Sequence, residues 1–472
     1  MKYLDTDIKW FSDFSGDTNP LHVDPDYARR TPYGKQVVFG MLTVLSALTT
    51  AFKNEKRQLL RLHATFNKPA FLDEAYELKI SQTNSTFLFV WAKGNSIRAR
   101  IEVDVDNGSP PSGDKQETYL DIEYPDGEIK KYQPDWKAIS KNLEIFDPDL
   151  LAVEARQLSF LLWVSTYTGT TIPGDQALLS EVEVTFGGTV DNPICIEEVN
   201  QDARFNSYET VGSGGGIKAF RILAFKRPKP VSLDMAALKN SDEIKLDSIG
   251  KKIIVTGASR GFGSAIAALC GLQGATLYLT YHSDAMAMVE LEQQLADQNI
   301  EVTCLRLDLT EPDGHQQFCK FALDVKPDLV FANAFVAPQP ASYREQDAAD
   351  IVNYISKNMT LMINTLNAVL PAMPRGGCFV NSSSIYVDEV TSSLSHYISA
   401  KAAIEGLIKS VAYEHRACRF VNARLPRMLT DQTNLPFDRH PPASVESIAK
   451  ALLTALVAMQ SQSNFNNLNI VA

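Results

Sequence analysis

Lys251-Lys-Ile-Ile-Val-Thr-Gly-Ala-Ser-Arg-Gly-Phe-Gly263 decides the architecture of the C-terminal half. A β-branched run breaks into spaced glycines and then into an alanine-rich helical stretch, so strand, tight turn and helix follow one another. Thr276–Tyr281 reads as the next strand, and strand–helix alternation continues to the C-terminus. This is the pattern of a doubly wound parallel α/β sheet of Rossmann type, expected over 250–472. Gly257, Gly261 and Gly263, with Ser259, Arg260 and Phe262 between them, bring backbone N–H groups close to any anion at the helix N-terminus.

Upstream, two stretches read as connectors. Asp106-Asn-Gly-Ser-Pro-Pro-Ser-Gly-Asp114 is rich in turn residues, and 227–249 opens with Arg-Pro-Lys-Pro and becomes highly charged. They divide the chain into 1–105, 115–226 and 250–472. In the first piece, Val37–Phe52 is apolar nearly all round and reads as a buried helix. Strand-like runs follow it (LHATFNKPA, AYELKISQT, TFLFVWAKG, IRARIEVDV), which predicts an antiparallel sheet wrapped around one helix. The second piece repeats this order less clearly, with Leu158–Tyr167 as its buried helix and Ile217–Phe225 as its last strand.

The 472 residues carry 45 Lys+Arg against 56 Asp+Glu, a formal charge of −11, and that balance argues against a nucleic-acid or anionic-membrane partner. No apolar run approaches the roughly 18–20 residues of a membrane span. The N-terminus, MKYLDTDIKWFSDFSGD, has acids where a signal peptide needs an apolar stretch, so a cytoplasmic protein is expected. The six cysteines are scattered without a CxxC and read as small buried residues. His315 and Cys319 lack further nearby ligands, so no metal is expected.

Later residues carry a family resemblance for 250–472. Tyr397-Ile-Ser-Ala-Lys401 puts a phenol and an ammonium four apart on one helix face, and Ser384 lies thirteen residues before the tyrosine. Asn358 precedes an apolar helix, and Asn333 sits in Val330-Phe-Ala-Asn-Ala334. In this order and spacing the region resembles the short-chain dehydrogenases/reductases, nearest their 3-oxoacyl-thioester reductases. The resemblance implies that Tyr397 protonates the nascent alkoxide, that Lys401 lowers the tyrosine pKa and holds ribose hydroxyls, and that Ser384 binds the substrate carbonyl. It further implies a water held at Asn358, an adenine contact at Asp308 and pairing of two or more chains through the helices around Tyr397. No Asp or Glu stands at the end of the second strand (Leu279-Thr-Tyr-His-Ser283). Arg260 and His282 could instead receive a 2′-phosphate, so NADPH is expected over NADH. Two departures stand near the expected nicotinamide wall: Phe335 where the family has glycine, and Arg427 after Pro426.

At the other end, Phe14-Ser-Gly-Asp-Thr-Asn-Pro-Leu-His-Val-Asp-Pro-Asp-Tyr-Ala28, then Gly34 and Val38-Phe-Gly-Met-Leu42, resembles the MaoC-like (R)-specific enoyl-thioester hydratases. That family has the hotdog fold, an α+β sheet wrapped on a helix, and implies Asp17 and His22 as the catalytic pair around one water. The backbone N–H of Gly40 is the candidate donor to the thioester oxygen. Phe39 replaces the histidine usual before Gly-Met. Residues 115–226 are expected to form a second, degenerate hotdog, since Tyr167–Ser180 resembles the start of such a core without the Asp-x4-His loop. A hydratase and a reductase share the 3-hydroxyacyl thioester, on CoA or acyl carrier protein. A bifunctional enzyme is the leading expectation; the alternative is a lone reductase whose hotdog part only binds acyl groups or a carrier protein.

Overall fold

The computed structural model describes residues 1–52, 57–106, 119–140, 153–239, 251–435, 442–459 and 464–471. The chain forms two compact units, one built mainly on Met1–Lys229 and one beginning at Pro230. Among the described residues, no helix is long and apolar enough to cross a membrane.

The first unit is a single ten-stranded sheet around two helices. Its strands are β1 (Gln58–Phe66), β2 (Glu77–Thr83), β3 (Thr86–Lys93), β4 (Ser96–Asp106), β5 (Leu120–Glu123), β6 (Ile129–Tyr132), β7 (Ala177–Phe186), β8 (Ile194–Asp202), β9 (Ser207–Gly214) and β10 (Ile217–Lys226). They run in the order β2-β3-β4-β1-β7-β10-β9-β8-β5-β6. The order 2-3-4-1 is mirrored by 7-10-9-8, so the two halves are hotdogs joined edge to edge, with β1 antiparallel to β7 from Arg61 opposite Thr185 to Thr65 opposite Glu181. Joining these edges removes two rows of unpaired backbone groups that would otherwise invite aggregation. The pieces expected as separate domains thus share one sheet and one hydrophobic core, which draws on both central helices.

Those helices are Gly40–Phe52 and Ala155–Thr170. The first starts three residues later than its apolar run predicts, because Val37 and Val38 are extended and their N–H groups donate to the Leu21 and Ala70 carbonyls. Hydroxyls along a helix can donate to its own backbone carbonyls. Thr43, Ser46 and Thr50 donate to the Gly40, Leu42 and Ser46 carbonyls.

The second unit is the expected parallel sheet: β11 (Lys252–Thr256), β12 (Thr276–Tyr281), β13 (Val302–Arg306), β14 (Leu329–Ala332), β15 (Cys378–Ser384), β16 (Arg419–Leu425) and β17 (Phe465–Asn469). The order β13-β12-β11-β14-β15-β16-β17 reverses direction between β11 and β14, where ligands enter such sheets. Apolar cores cover its two faces.

The expected linker 227–249 needs correction in its described part. Val231 N–H donates to Asp431 (2.8 Å), Asp234 N–H donates to Glu446 (2.9 Å), and Leu238 is fully buried in the second unit's core. Charged residues alternating with apolar ones gave the stretch the look of a free link, but in its described part Leu233, Met235 and Leu238 pack on the second unit's core. Residues 107–114 and 240–249 lie outside the described residues.

Candidate active sites

Asp17 follows the helix Asp5–Ser15, and His22 sits in the single turn Pro20–Val23, capped by Asn19, whose side chain accepts from Leu21 N–H. Both line a cavity of about 180 Å³, together with Gly40, Phe39, Phe66, Lys68 and Arg98 from the first half and Ser165, Thr168 and Gly169 from the second. Asp17 is 2% exposed. Its Oδ2 accepts from the Ser165 hydroxyl at 2.6 Å, and its Oδ1 accepts from Asn19 N–H at 3.0 Å. Burial pushes the Asp17 carboxyl up to about 6, with the Ser165 and Asn19 hydrogen bonds opposing. Gly169 is required by close approach: a Cβ there would lie 2.2 Å from Asp17 Oδ1.

His22 Nδ1 lies 2.6 Å from the Val37 carbonyl oxygen, a contact that makes it the protonated nitrogen and leaves Nε2 as a base. Burial pushes the imidazole down to about 4; the Val37 bond opposes this and the Arg227 charge reinforces it. The Phe39 ring lies on the imidazole, ring centres 4.0 Å apart, so the departure from histidine supplies a packing face. Gly40 lines the same cavity at the start of its helix, where helix-end N–H groups favour developing negative charge. The structure brings the expected Asp17, His22 and Gly40 to one cavity and adds Ser165, Thr168 and Gly169, which the sequence reading did not name. No local pattern marks them, since the same helix also carries Ser159, Thr166 and Thr170.

In the second unit the glycine turn lies at the carboxyl end of β11. A Cβ on Gly263 would lie 2.1 Å from the Gly257 carbonyl oxygen, so only a bare backbone fits this cradle, and it suits a diphosphate. Phe262 is buried in the core, so its backbone alone can face such a group. Ser259 is half-buried. Asn333 positions the turn, its Nδ2 donating to the Gly257 carbonyl (3.0 Å). Asn358 is buried with both amide groups engaged: Oδ1 accepts from Val336 N–H (2.9 Å) and Nδ2 donates to the Tyr354 carbonyl (2.9 Å). Its side chain anchors backbone here.

Ser384, Tyr397 and Lys401 converge. Ser384 ends β15, and Tyr397 and Lys401 lie on the helix Ser395–Glu414. Burial raises the Tyr397 phenol, a hydrogen bond with Ser384 opposes this, and Tyr386 adds to the rise. Lys401 is buried, and its Nζ donates to the Ser382 carbonyl at 2.6 Å. Burial pushes its ammonium down to about 7, against the pull of Glu405. The Phe335 ring covers that ammonium, its centre 3.6 Å from Nζ, and meets the Tyr397 ring edge-on with ring centres 5.5 Å apart. Phe335, standing where the resemblance has glycine, therefore packs directly on Lys401.

The two residues expected to receive a 2′-phosphate both have acidic neighbours. Arg260 Nη1 lies 3.3 Å from Asp431 Oδ2 and 3.8 Å from Asp284 Oδ2, and His282 Nε2 lies 3.3 Å from Asp308 Oδ2. Asp284 comes too late after β12 to be read as a ribose acid, but folding brings it beside the turn.

The MaoC like domain model matches residues 1–99, and the short chain dehydrogenase model matches 251–433. The 3-oxoacyl-[acyl-carrier-protein] reductase FabG of Chlamydia pneumoniae is 30% identical over 193 residues, 40% of this chain and 77% of that protein. The chain belongs to the short-chain dehydrogenase family. It carries a MaoC-like domain at its N-terminus. The 7alpha-hydroxysteroid dehydrogenase of Escherichia coli K12 is 29% identical over 182 residues, 37% of this chain and 68% of that one. A short-chain dehydrogenase/reductase structure from Serratia marcescens has 19% identity and a TM-score of 0.43, covering 48% of this chain and 98% of that one. Relatives in this dehydrogenase family thus include proteins named for acyl-carrier and for steroid substrates, so family membership alone leaves the substrate open.

Proposed function

We propose that the protein is a bifunctional enzyme of 3-hydroxyacyl thioesters, carried on CoA or acyl carrier protein. The MaoC-like site adds water to, or removes it from, the enoyl thioester, and the reductase site interconverts the 3-hydroxy and 3-oxo forms. The observation that carries the reading is the placement of Asp17 and His22 in one cavity, the carboxylate held by two donors and the imidazole fixed with Nε2 as base. A docking module for acyl groups has no use for that arrangement. The (R) configuration follows the hydratase resemblance, and the name of the Chlamydia relative supports a 3-oxoacyl substrate at the second site.

In hydration, water oxygen bonds to C3 of the enoyl thioester while His22 Nε2 takes its proton. Asp17 accepts the water's other hydrogen bond, the pair returns a proton to C2, and Gly40 N–H steadies the thioester oxygen as it gains charge. Reduction needs a nicotinamide dinucleotide, which supplies the hydride when bound. The glycine cradle of Gly257–Gly263 would hold its diphosphate, with Lys401 at the ribose. Ser384 donates to the C3 carbonyl oxygen, and Tyr397 gives that oxygen its proton. NADPH is the preferred form, through Arg260 and His282, but their acidic neighbours keep the preference small. Exposed Val352, Ile363 and Tyr413, on the helices Ala348–Val369 and Ser395–Glu414, support pairing with a second copy.

The test is one purified chain assayed twice. It should hydrate crotonyl-CoA without cofactor and oxidise NADPH with acetoacetyl-CoA. Reduction without hydration would turn the first unit into a binding module, and hydration without reduction would remove the second activity.

A further inference from the structure

The helix Ala155–Thr170 satisfies most of its hydroxyls by ordinary means. Ser159, Thr166 and Thr170 donate to the carbonyls four residues earlier, Thr166 also to the Ser15 carbonyl, and Ser165 donates to Asp17. Thr168 differs. Its residue is 3% exposed, its Oγ1 is buried without a hydrogen-bond partner, and it lines the Asp17–His22 cavity. Arg98 Nε is also orphaned there, but its guanidinium is anchored through Nη1 to the Pro69 carbonyl. A buried hydroxyl without a partner costs stability and is retained where something else satisfies it.

Thr168 is three residues after Ser165 and immediately before Gly169, so it shares the helix face that meets Asp17. We infer that Thr168 is a further residue of the hydration site, its hydroxyl holding the reacting water beside Asp17. The inference rests on the hydratase reading above. Asp17 and the neutral His22 Nε2 are both acceptors, so together they use the two protons of that water. A donor is then needed at one oxygen lone pair, which leaves the other directed at substrate C3. Thr168 supplies that donor and exchanges no proton. Water in such a site needs two to four partners, and these three groups meet that need. The catalytic loop therefore lies in the first hotdog half while part of its water site is contributed by the second.

The experiment compares Thr168→Val and Thr168→Ser with the unaltered full chain in crotonyl-CoA hydration, with Asp17→Asn in parallel. Thr168→Val should lower kcat about tenfold with KM within about twofold, the size of one neutral hydrogen bond. Thr168→Ser should stay within about twofold of the unaltered chain. Melting temperature separates this from a packing defect: valine is nearly isosteric and removes an orphaned hydroxyl, so Thr168→Val should melt no lower than the parent. Unchanged kcat in Thr168→Val overturns the proposal, as does an equal loss in Thr168→Ser. If the unaltered chain shows no hydration that depends on Asp17, the hydratase reading itself falls, and the inference with it.

Discussion

Asp17 and Lys401 are both buried ionisable groups at the centre of a site, and the protein treats them differently. Asp17 has a donor on each oxygen, one from its own loop and one from a helix in the other hotdog half. Its partner histidine has a fixed tautomer and a packed face. Lys401 donates to one backbone carbonyl, feels Glu405, and meets the face of Phe335. The first site is assembled before anything binds, because both faces of its cavity belong to one shared core. The second has a ready cradle for a diphosphate but an aromatic ring over the cation that should hold the ribose. On the proposed reading, one site is preorganised and the other must rearrange.

The largest expected effect separates the sites outright. Asp17→Asn should lower crotonyl-CoA hydration by about 10²-fold or more and leave acetoacetyl-CoA reduction intact. Tyr397→Phe should abolish reduction and leave hydration and cofactor binding intact. Loss of both activities in either variant would break the comparison, since it would mean that the sites are not independent.

The pH dependence sharpens it. With the Asp17 carboxyl at about 6, hydration should fall about tenfold per pH unit below that value, and His22, at about 4, should add a further loss only near pH 4. A flat profile between pH 5 and 8, read from enoyl absorbance, would show that the Asp17 charge is not used. The same titration enters stability. The folded value lies above the unfolded value of about 4, so the stabilising influence of protonated Asp17 is full below pH 4 and lost as pH rises through 6. Asp17→Asn should therefore be more stable than the parent at pH 8, by up to about 3 kcal/mol in denaturant unfolding, and show no such gain at pH 4.

Phe335→Gly tests the covered lysine. Removing the ring should tighten NADPH binding about tenfold by fluorescence titration, the scale of a desolvated cation–ring contact. It should also admit water and raise the Lys401 ammonium above its value of about 7, as read by NMR of labelled lysine. Equal affinity in both forms would mean that the ring does not compete with the cofactor.

The smallest effect concerns cofactor choice. Because Arg260 has Asp431 and Asp284 beside it, the preference for NADPH over NADH in kcat/KM should be within about tenfold, and Arg260→Ala should remove most of it by weakening NADPH. A hundredfold preference in matched assays would show that the phosphate displaces the acids completely.

Local sequence determined much of this protein. The run Lys251–Gly263 specified strand, turn and helix because glycine spacing and β-branching act within a few residues. The loop from Asp17 to His22 and the Tyr397–Lys401 pair were legible for the same reason, since each lies on one short element. Two buried helices were also plain from apolar runs, although Val37 and Val38 were drawn into extended pairing by Leu21 and Ala70, far along the chain. Tertiary structure alone decided what the sites are made of. Ser165 and Gly169 reach Asp17, and Thr168 its cavity, from about 150 residues away, because β1 pairs with β7 and packs the two central helices together. Arg260 gained its acidic neighbours, and Lys401 its aromatic cover, from chain segments with no local pattern linking them. Periodicity and spacing record forces between neighbours in the chain, whereas burial, hydrogen-bond partners and shifted pKa values depend on groups that only folding brings within contact distance.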